Sequence, residues 1–247
     1  MLLLGMSLAG MPLAAYACGH NGEHCPAMVS VPEKQTYEPG DTVPQSVVDR
    51  TGADGFFTCT AIPDSIFALM RGRSYKANCT VPRKSLRYLR CLHRDKDGNI
   101  IVGEMVVNAS VAADVLGIFR KLYEAAYPIE RMRLIDYWDA DDERAMRMNN
   151  SSCFNFRFIS HTTKVSKHGK GMAIDINTLY NPYHKTLPNG KVVTEPATGK
   201  PYLDRSASFP YKIVKGDLCY RLFKAKGFRW GGEWANRKDY QHFEKCN

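Results

Sequence analysis

Two short segments of the chain carry the side chains best suited to holding a divalent metal. His168 and Asp175 lie in Ser166-Lys167-His168-Gly169-Lys170-Gly171-Met172-Ala173-Ile174-Asp175, and His242 lies in Asp239-Tyr240-Gln241-His242. Two imidazoles and one carboxylate leave a tetrahedral zinc ion with one position open to water, whereas a structural site closes the shell with a fourth protein ligand. The chemistry such a set offers is therefore catalytic. Gly169 and Gly171 allow a sharp turn between His168 on a loop and Asp175 on a following strand. Spacing alone is weak evidence, because two histidines and an aspartate picked in this way are more often ordinary surface or core residues.

The elements that must position these groups are visible as changes of hydrophobic period. Pro63-Asp64-Ser65 starts a short amphipathic helix through Ile66, Phe67 and Met70, stopped by Gly72. Leu86 to His93 and Ile100 to Val107 are extended runs joined across Asp95-Lys96-Asp97-Gly98-Asn99, a hairpin signal. Ser110 is placed to cap a helix carrying Val111, Val115, Phe119, Leu122 and Tyr123, which Pro128 ends. Arg131 to Ile135 reads as a strand. Phe154, Phe156 and Phe158 alternate with Asn155 and Arg157, which predicts a strand with buried phenylalanines and Arg157 on the opposite face. Met172, Ile174 and Ile176 alternate with Ala173, Asp175 and Asn177 in the same way. A helix from Asp217 closes at Gly227, and a last strand runs through Tyr240 to Glu244. Helices and strands mix without βαβ regularity or internal repeat, so the expected class is α+β with a small, mainly antiparallel sheet and flanking helices.

The 247 residues suit one sizeable domain or two small ones, and 44% apolar with 24% charged residues excludes disorder throughout. Residues 1–17 carry no charge, run through Leu2, Leu3, Leu4, Met6 and Leu8, and end at Ala15-Tyr16-Ala17, which predicts a cleaved export signal. Cys18 also permits a lipoprotein reading. Residues 18–61, with Pro26, Pro32, Pro39, Gly40 and Pro44, read as an N-terminal extension or linker ahead of a domain over 62–247. Eight cysteines in an exported chain predict partial disulfide pairing, and no C-x-x-C pair supports a zinc knuckle or redox site. The net charge of +9 is scattered rather than clustered, so peripheral association with acidic envelope polymers is expected and nucleic-acid binding is not.

Five segments in order carry a resemblance. They are Asn149-Asn150-Ser151-Ser152-Cys153-Phe154-Asn155-Phe156-Arg157, Ser166-x-His168-x-x-Gly171-x-Ala173-x-Asp175-x-Asn177, Asn181-Pro182-Tyr183, Trp230-Gly231-Gly232-x-Trp234 and Asp239-Tyr240-x-His242-Phe243-Glu244. Together they resemble the zinc D-alanyl-D-alanine carboxypeptidase family that includes phage endolysin L-alanyl-D-glutamate peptidases. The resemblance implies a hedgehog/DD-peptidase-like fold with zinc on the face of an antiparallel sheet. It also implies His168, Asp175 and His242 as metal ligands and Asp239 as the catalytic carboxylate. Because Asp239 and His242 are three apart, Asp239 must lie on a loop entering the strand or on a bulge. Arg157 is the candidate to stabilise an oxyanion or clamp a substrate carboxylate, and Ser166 resembles a substrate-contacting residue. Trp230 and Trp234 either wall the cleft or close a core. His20, His24, His93, His161 and His184 have no comparable context, and Cys153 is expected to be a buried filler.

The activity so implied is hydrolysis of peptidoglycan stem-peptide amide bonds by an exported zinc peptidase of periplasm, envelope or extracellular space, with the D-Ala-D-Ala carboxypeptidase type favoured. The alternatives are an L-alanyl-D-glutamate endopeptidase and a non-catalytic zinc-containing wall-binding module. The presence of all four residues His168, Asp175, Asp239 and His242 favours the enzyme.

Overall fold

The computed structural model describes residues 36–159 and 162–246. The predicted signal segment, Cys18, Cys25, His20, His24 and His161 lie outside the described residues. In chain order the elements are α1 (Gln45–Thr51), β1 (Thr58–Thr60), α2 (Asp64–Met70), β2 (Leu86–Arg94), β3 (Ile100–Asn108), α3 (Ala109–Glu124), β4 (Arg131–Met132), α4 (Asp142–Arg147), β5 (Asn150–Ser151), β6 (Ala173–Asp175), β7 (Tyr183–Thr186), β8 (Val192–Glu195), α5 (Leu218–Ala225), β9 (Phe228–Trp230), β10 (Lys238–Asp239) and β11 (His242–Lys245). No helix among the described residues is long and apolar enough to cross a membrane.

The α+β class holds, but the sheet comes in pieces. Three antiparallel three-stranded sheets have the orders β1-β2-β3, β10-β7-β8 and β6-β11-β9, and β4 and β5 form a short parallel pair. The β2–β3 hairpin is the predicted one, with Leu86 opposite Asn108 and Arg94 opposite Ile100. Helix α3 packs against β2 and α5. Its buried Val111, Val115, Ile118, Phe119 and Leu122 join Leu89 and Leu92 of the hairpin and Ile174, Phe223, Phe228 and Phe243 of the C-terminal half in one core. Pairing the two halves through α3 gives strands β6 and β11, which carry Asp175 and His242, a rigid backing.

Residues 36–61 are not a linker ahead of this unit. The compact unit starts at Thr36. Val43, Val47, Val48 and Phe57 are buried in the main core. Val43 N donates to Ile100 O at 2.8 Å, Thr42 bridges to Ile101, and Thr58 of β1 pairs with Arg90. The segment thus covers both edges of the hairpin, and its prolines and Gly40, at φ +94°, shape turns within the fold.

Other local expectations shift for identifiable reasons. Helix α3 is capped by Asn108, whose side chain accepts from Ser110 N at 3.0 Å, because the chain is still extended at Asn108 (ψ 141°) as it leaves β3. The helix ends at Glu124, ahead of Pro128: Ala126 takes φ +50° and Tyr127 N bonds back to Leu122 O at 2.9 Å, a Schellman-type ending. The run 131–135 is a strand only at Arg131–Met132 and then becomes a 3-10 turn over Ile135–Trp138.

Residues 154–158 form no named strand, although Phe154 and Phe156 are buried as the alternation predicts. Phe154 N donates to Val106 O, Asn155 N to His168 O and Phe156 N to Ser74 O, so each amide is satisfied by a different element and no ladder forms. Phe158 is 39% exposed, contrary to expectation. The expected disulfides are absent among the described residues: Cys59, Cys79, Cys91, Cys153, Cys219 and Cys246 are all free thiols.

Candidate active site

Antiparallel pairing places two of the candidate ligands face to face. Asp175 ends β6, His242 begins β11, and the two are direct cross-strand partners. His168 comes from the 3-10 turn His168–Lys170, which the chain leaves through Gly171 at φ +67°. Gly169 serves a different purpose, since a Cβ there would come within 2.9 Å of the Arg157 carbonyl oxygen. Asp175 Oδ1 lies 3.0 Å from His242 Nδ1, Asp175 Oδ2 lies 3.2 Å from His168 Nε2, and the two imidazole nitrogens are 3.1 Å apart. Donor atoms about 2.0–2.1 Å from one tetrahedral zinc ion sit roughly 3.3 Å from each other. The two imidazole nitrogens and an Asp175 oxygen, one atom from each residue, lie within 4.8 Å of one another, a set that could share one ion.

The outer nitrogens are also arranged for this. His168 Nδ1 donates to the Cys153 carbonyl at 2.8 Å, which fixes the tautomer and leaves Nε2 with its lone pair turned inward. His242 Nε2 faces Glu244 Oε2 at 3.4 Å, leaving Nδ1 inward. Burial acts to lower the His242 imidazole, but the hydrogen bonds to Asp175 and Glu244 prevail and raise it. Burial acts to raise Asp175, yet the charges and hydrogen bonds of His168 and His242 hold it well below the usual carboxylate range. The hydrogen bond to His242 lowers Glu244 as well.

Asp239 reaches the same cleft from another sheet. It lies on β10, paired with Tyr183 of β7, while His242 lies on β11. The chain changes sheets across Tyr240 and Gln241, which removes the conflict between a three-residue spacing and one shared face. Burial pushes the Asp239 carboxyl up to about 6, Asp175 adding to the rise and His242 opposing it. Its Oδ1 is buried without a hydrogen-bond partner.

The cleft holds about 320 Å³ and is lined by His168, Asp175, His242, Asp239 and Arg157, among others. Arg157 Nη1 stands 3.3 Å from Asp142 Oδ2, within ion-pair range but without hydrogen-bond geometry. Gln241 Oε1 is a third buried polar atom left without a partner in this cleft. An unsatisfied buried polar group costs about 1–3 kcal/mol, so three of them around one donor set mark a site shaped for something that binds there.

Ser166 is not brought into the cleft. Its Oγ accepts from Gly169 N at 2.9 Å and shapes the turn that presents His168. Trp230 is a core residue whose Nε1 donates to Tyr240 O at 2.8 Å, whereas Trp234 lines the cleft with its ring centroid 5.4 Å from that of His242. Cys153 is buried, and burial raises its thiol far above the usual range, in keeping with a filler. His93 is buried and His184 stacks near Tyr240, both away from the donor group. Glu244 was given no role by sequence reasoning, although its place two residues after His242 on a strand already implied a shared face. Arg237, Asp142 and Glu195 also line the cleft, and no motif announced them.

His168, Asp175 and His242 form a group that could hold one metal ion, beside the buried Asp239, and three protein donors leave room for a fourth, non-protein ligand. Residues 160–245 match the family described as D-alanyl-D-alanine carboxypeptidase. The match spans His168, Asp175, Asp239 and His242 and begins just after Arg157, and it supports the family to which the motifs pointed. No solved structure matches the chain.

Proposed function

We propose that the protein is an exported zinc peptidase that hydrolyses amide bonds in peptidoglycan stem peptides, with a terminal D-Ala-D-Ala bond as the favoured substrate. The observation that carries this reading is the convergence of His168, Asp175 and His242 beside Asp239 in one cleft. When bound there, zinc supplies a Lewis acid that activates water and polarises the scissile carbonyl.

The chain's own residues supply the rest. Asp239, with its carboxyl raised to about 6, is ionised at neutral pH yet basic enough to take a proton from the attacking water. The same carboxyl then returns that proton to the departing amine. Arg157, whose Nη1 faces Asp142 at 3.3 Å without a hydrogen bond, lines the cleft and is the cation offered to the oxygen on which negative charge develops. Glu244 and the Cys153 carbonyl hold the two imidazoles in the orientation the ion requires. Ser166 acts one step back, by shaping the His168 turn.

The test is mass spectrometry of purified muropeptides incubated with the protein, with and without zinc, beside an Asp239→Ala variant. Zinc-dependent loss of one alanine that the variant cannot produce supports the carboxypeptidase. Cleavage between L-Ala and D-Glu reassigns the bond to the endopeptidase. No product from folded, zinc-loaded protein overturns the peptidase and leaves the wall-binding module.

A further inference from the structure

Two arginines line the cleft, one facing an acid and the other stacked on an aromatic ring. Arg157 already faces Asp142 at 3.3 Å, and Glu195 shares that wall. Burial raises the Glu195 carboxyl, and the charges of Glu143 and Asp142 add to it, so this side is rich in negative charge. A substrate carboxylate placed there meets repulsion from Asp142 and Glu195.

Arg237 shares Tyr183 as a neighbour with Glu195 and Asp239 but is held differently. Its guanidinium lies over the Trp234 ring, 4.3 Å from the centroid, and no carboxylate among the described residues pairs with it. Trp234 in turn stands against His242. Arg237 directly precedes β10, two residues before Asp239, and both side chains line the cleft. Its charge is felt at Tyr183, which also lines the cleft. The stack on Trp234 holds this exposed cation at the cleft, with no hydrogen bond or ion pair to its guanidinium among the described residues.

We infer that Arg237, held on Trp234, is the specificity-determining residue that binds the free C-terminal carboxylate of a peptide whose last amide bond lies at the metal donors. The inference rests on the peptidase reading and sharpens it, because a requirement for a terminal carboxylate is what separates an exopeptidase from an endopeptidase. One residue of extended chain spans at most about 3.6 Å. A carboxylate one residue past the scissile carbonyl therefore stays close to the donor group, in the cleft that Trp234 and Arg237 also line. Arg157 is left for the oxyanion.

The experiment compares N-acetyl-D-alanyl-D-alanine with its C-terminal amide, as substrates of the zinc-loaded protein and as ligands by calorimetry of the zinc-loaded Asp239→Ala protein. Each is measured with Arg237 intact, Arg237→Ala and Arg237→Lys. The acid is expected to bind roughly tenfold to a hundredfold more tightly than the amide, as a charge-assisted pair does. Arg237→Ala should abolish that preference through KM rather than kcat, and Arg237→Lys should restore part of it.

A preference for the acid that survives Arg237→Ala overturns the inference, as does equal binding of acid and amide by the Arg237 protein. Arg237-dependent binding without any hydrolysis sustains the inference and removes the peptidase reading instead. Equal hydrolysis of acid and amide leaves the peptidase reading in place and removes the inference.

Discussion

Gly231 lies directly behind Asp239: a Cβ on the glycine would fall 2.6 Å from the Asp239 carbonyl oxygen and 2.7 Å from its Cβ. With Trp230 Nε1 bound to the next carbonyl, that of Tyr240, the Trp230-Gly231 pair braces the point where the chain passes from β10 to β11. Gly231→Ala must push Asp239 out of place, because backbone offers no soft escape. Peptide hydrolysis should fall about tenfold to a hundredfold, as a displacement near 1 Å does. Zinc binding, measured by competition with a chromogenic chelator, should change by less than a few-fold.

Glu244 faces the outer nitrogen of His242. Glu244→Gln should weaken zinc affinity by roughly ten- to a hundredfold while the ligands themselves stay intact. Glu233→Gln, which removes an exposed partner of Lys224 on the same stretch of chain, is the control. Equal zinc affinity in Glu244→Gln and wild type would remove Glu244 from the metal centre.

The Asp239 carboxyl is raised to about 6 by burial, so it is protonated, and unable to act as a base, below that pH. Activity should rise with pH along an acid limb, and a bound cation draws the limb to about 6 or lower. A kcat/KM profile taken in constant zinc excess checks this. Activity that does not decline down to pH 4 would exclude Asp239 as the base.

His93 is 3% exposed, and burial lowers its imidazole from 6.5 to about 4 even though Nδ1 donates to the Ile129 carbonyl. The folded state thus binds fewer protons than the unfolded chain between these values, and its stability falls as pH drops through this window. The loss is on the order of 3 kcal/mol by pH 4. Urea unfolding of chelator-treated protein should show a steeper acid loss for wild type than for His93→Gln.

Ala126 holds φ +50° at an exposed helix end where glycine is the usual residue. Ala126→Gly should stabilise the protein by about 1 kcal/mol, or about 2–4 °C in Tm. An unchanged or lower Tm by calorimetry would contradict the Schellman assignment of that turn.

The amino-acid sequence by itself determined the elements that rest on local periodicity and the side chains that rest on chemical type. The β2–β3 hairpin, α2, α5 and the candidate donors His168, Asp175 and His242 were all legible, because alternation, helical spacing and ligand chemistry are written residue by residue. Residues 36–61 were not, since a short segment that completes another element's edge carries no period of its own. Nor was it visible that 154–158 form no ladder, because an apolar-polar alternation in the sequence does not say whether a strand partner is present, and Asn155 is buried beside Phe154 and Phe156. Only the tertiary structure decided that Asp239 and His242 sit on different sheets around one cleft, that Ser166 shapes a turn outside it, and that Arg157 faces an acid while Arg237 rests on Trp234. These are relations between distant segments, fixed by packing and electrostatics through space, and no spacing along the chain encodes them.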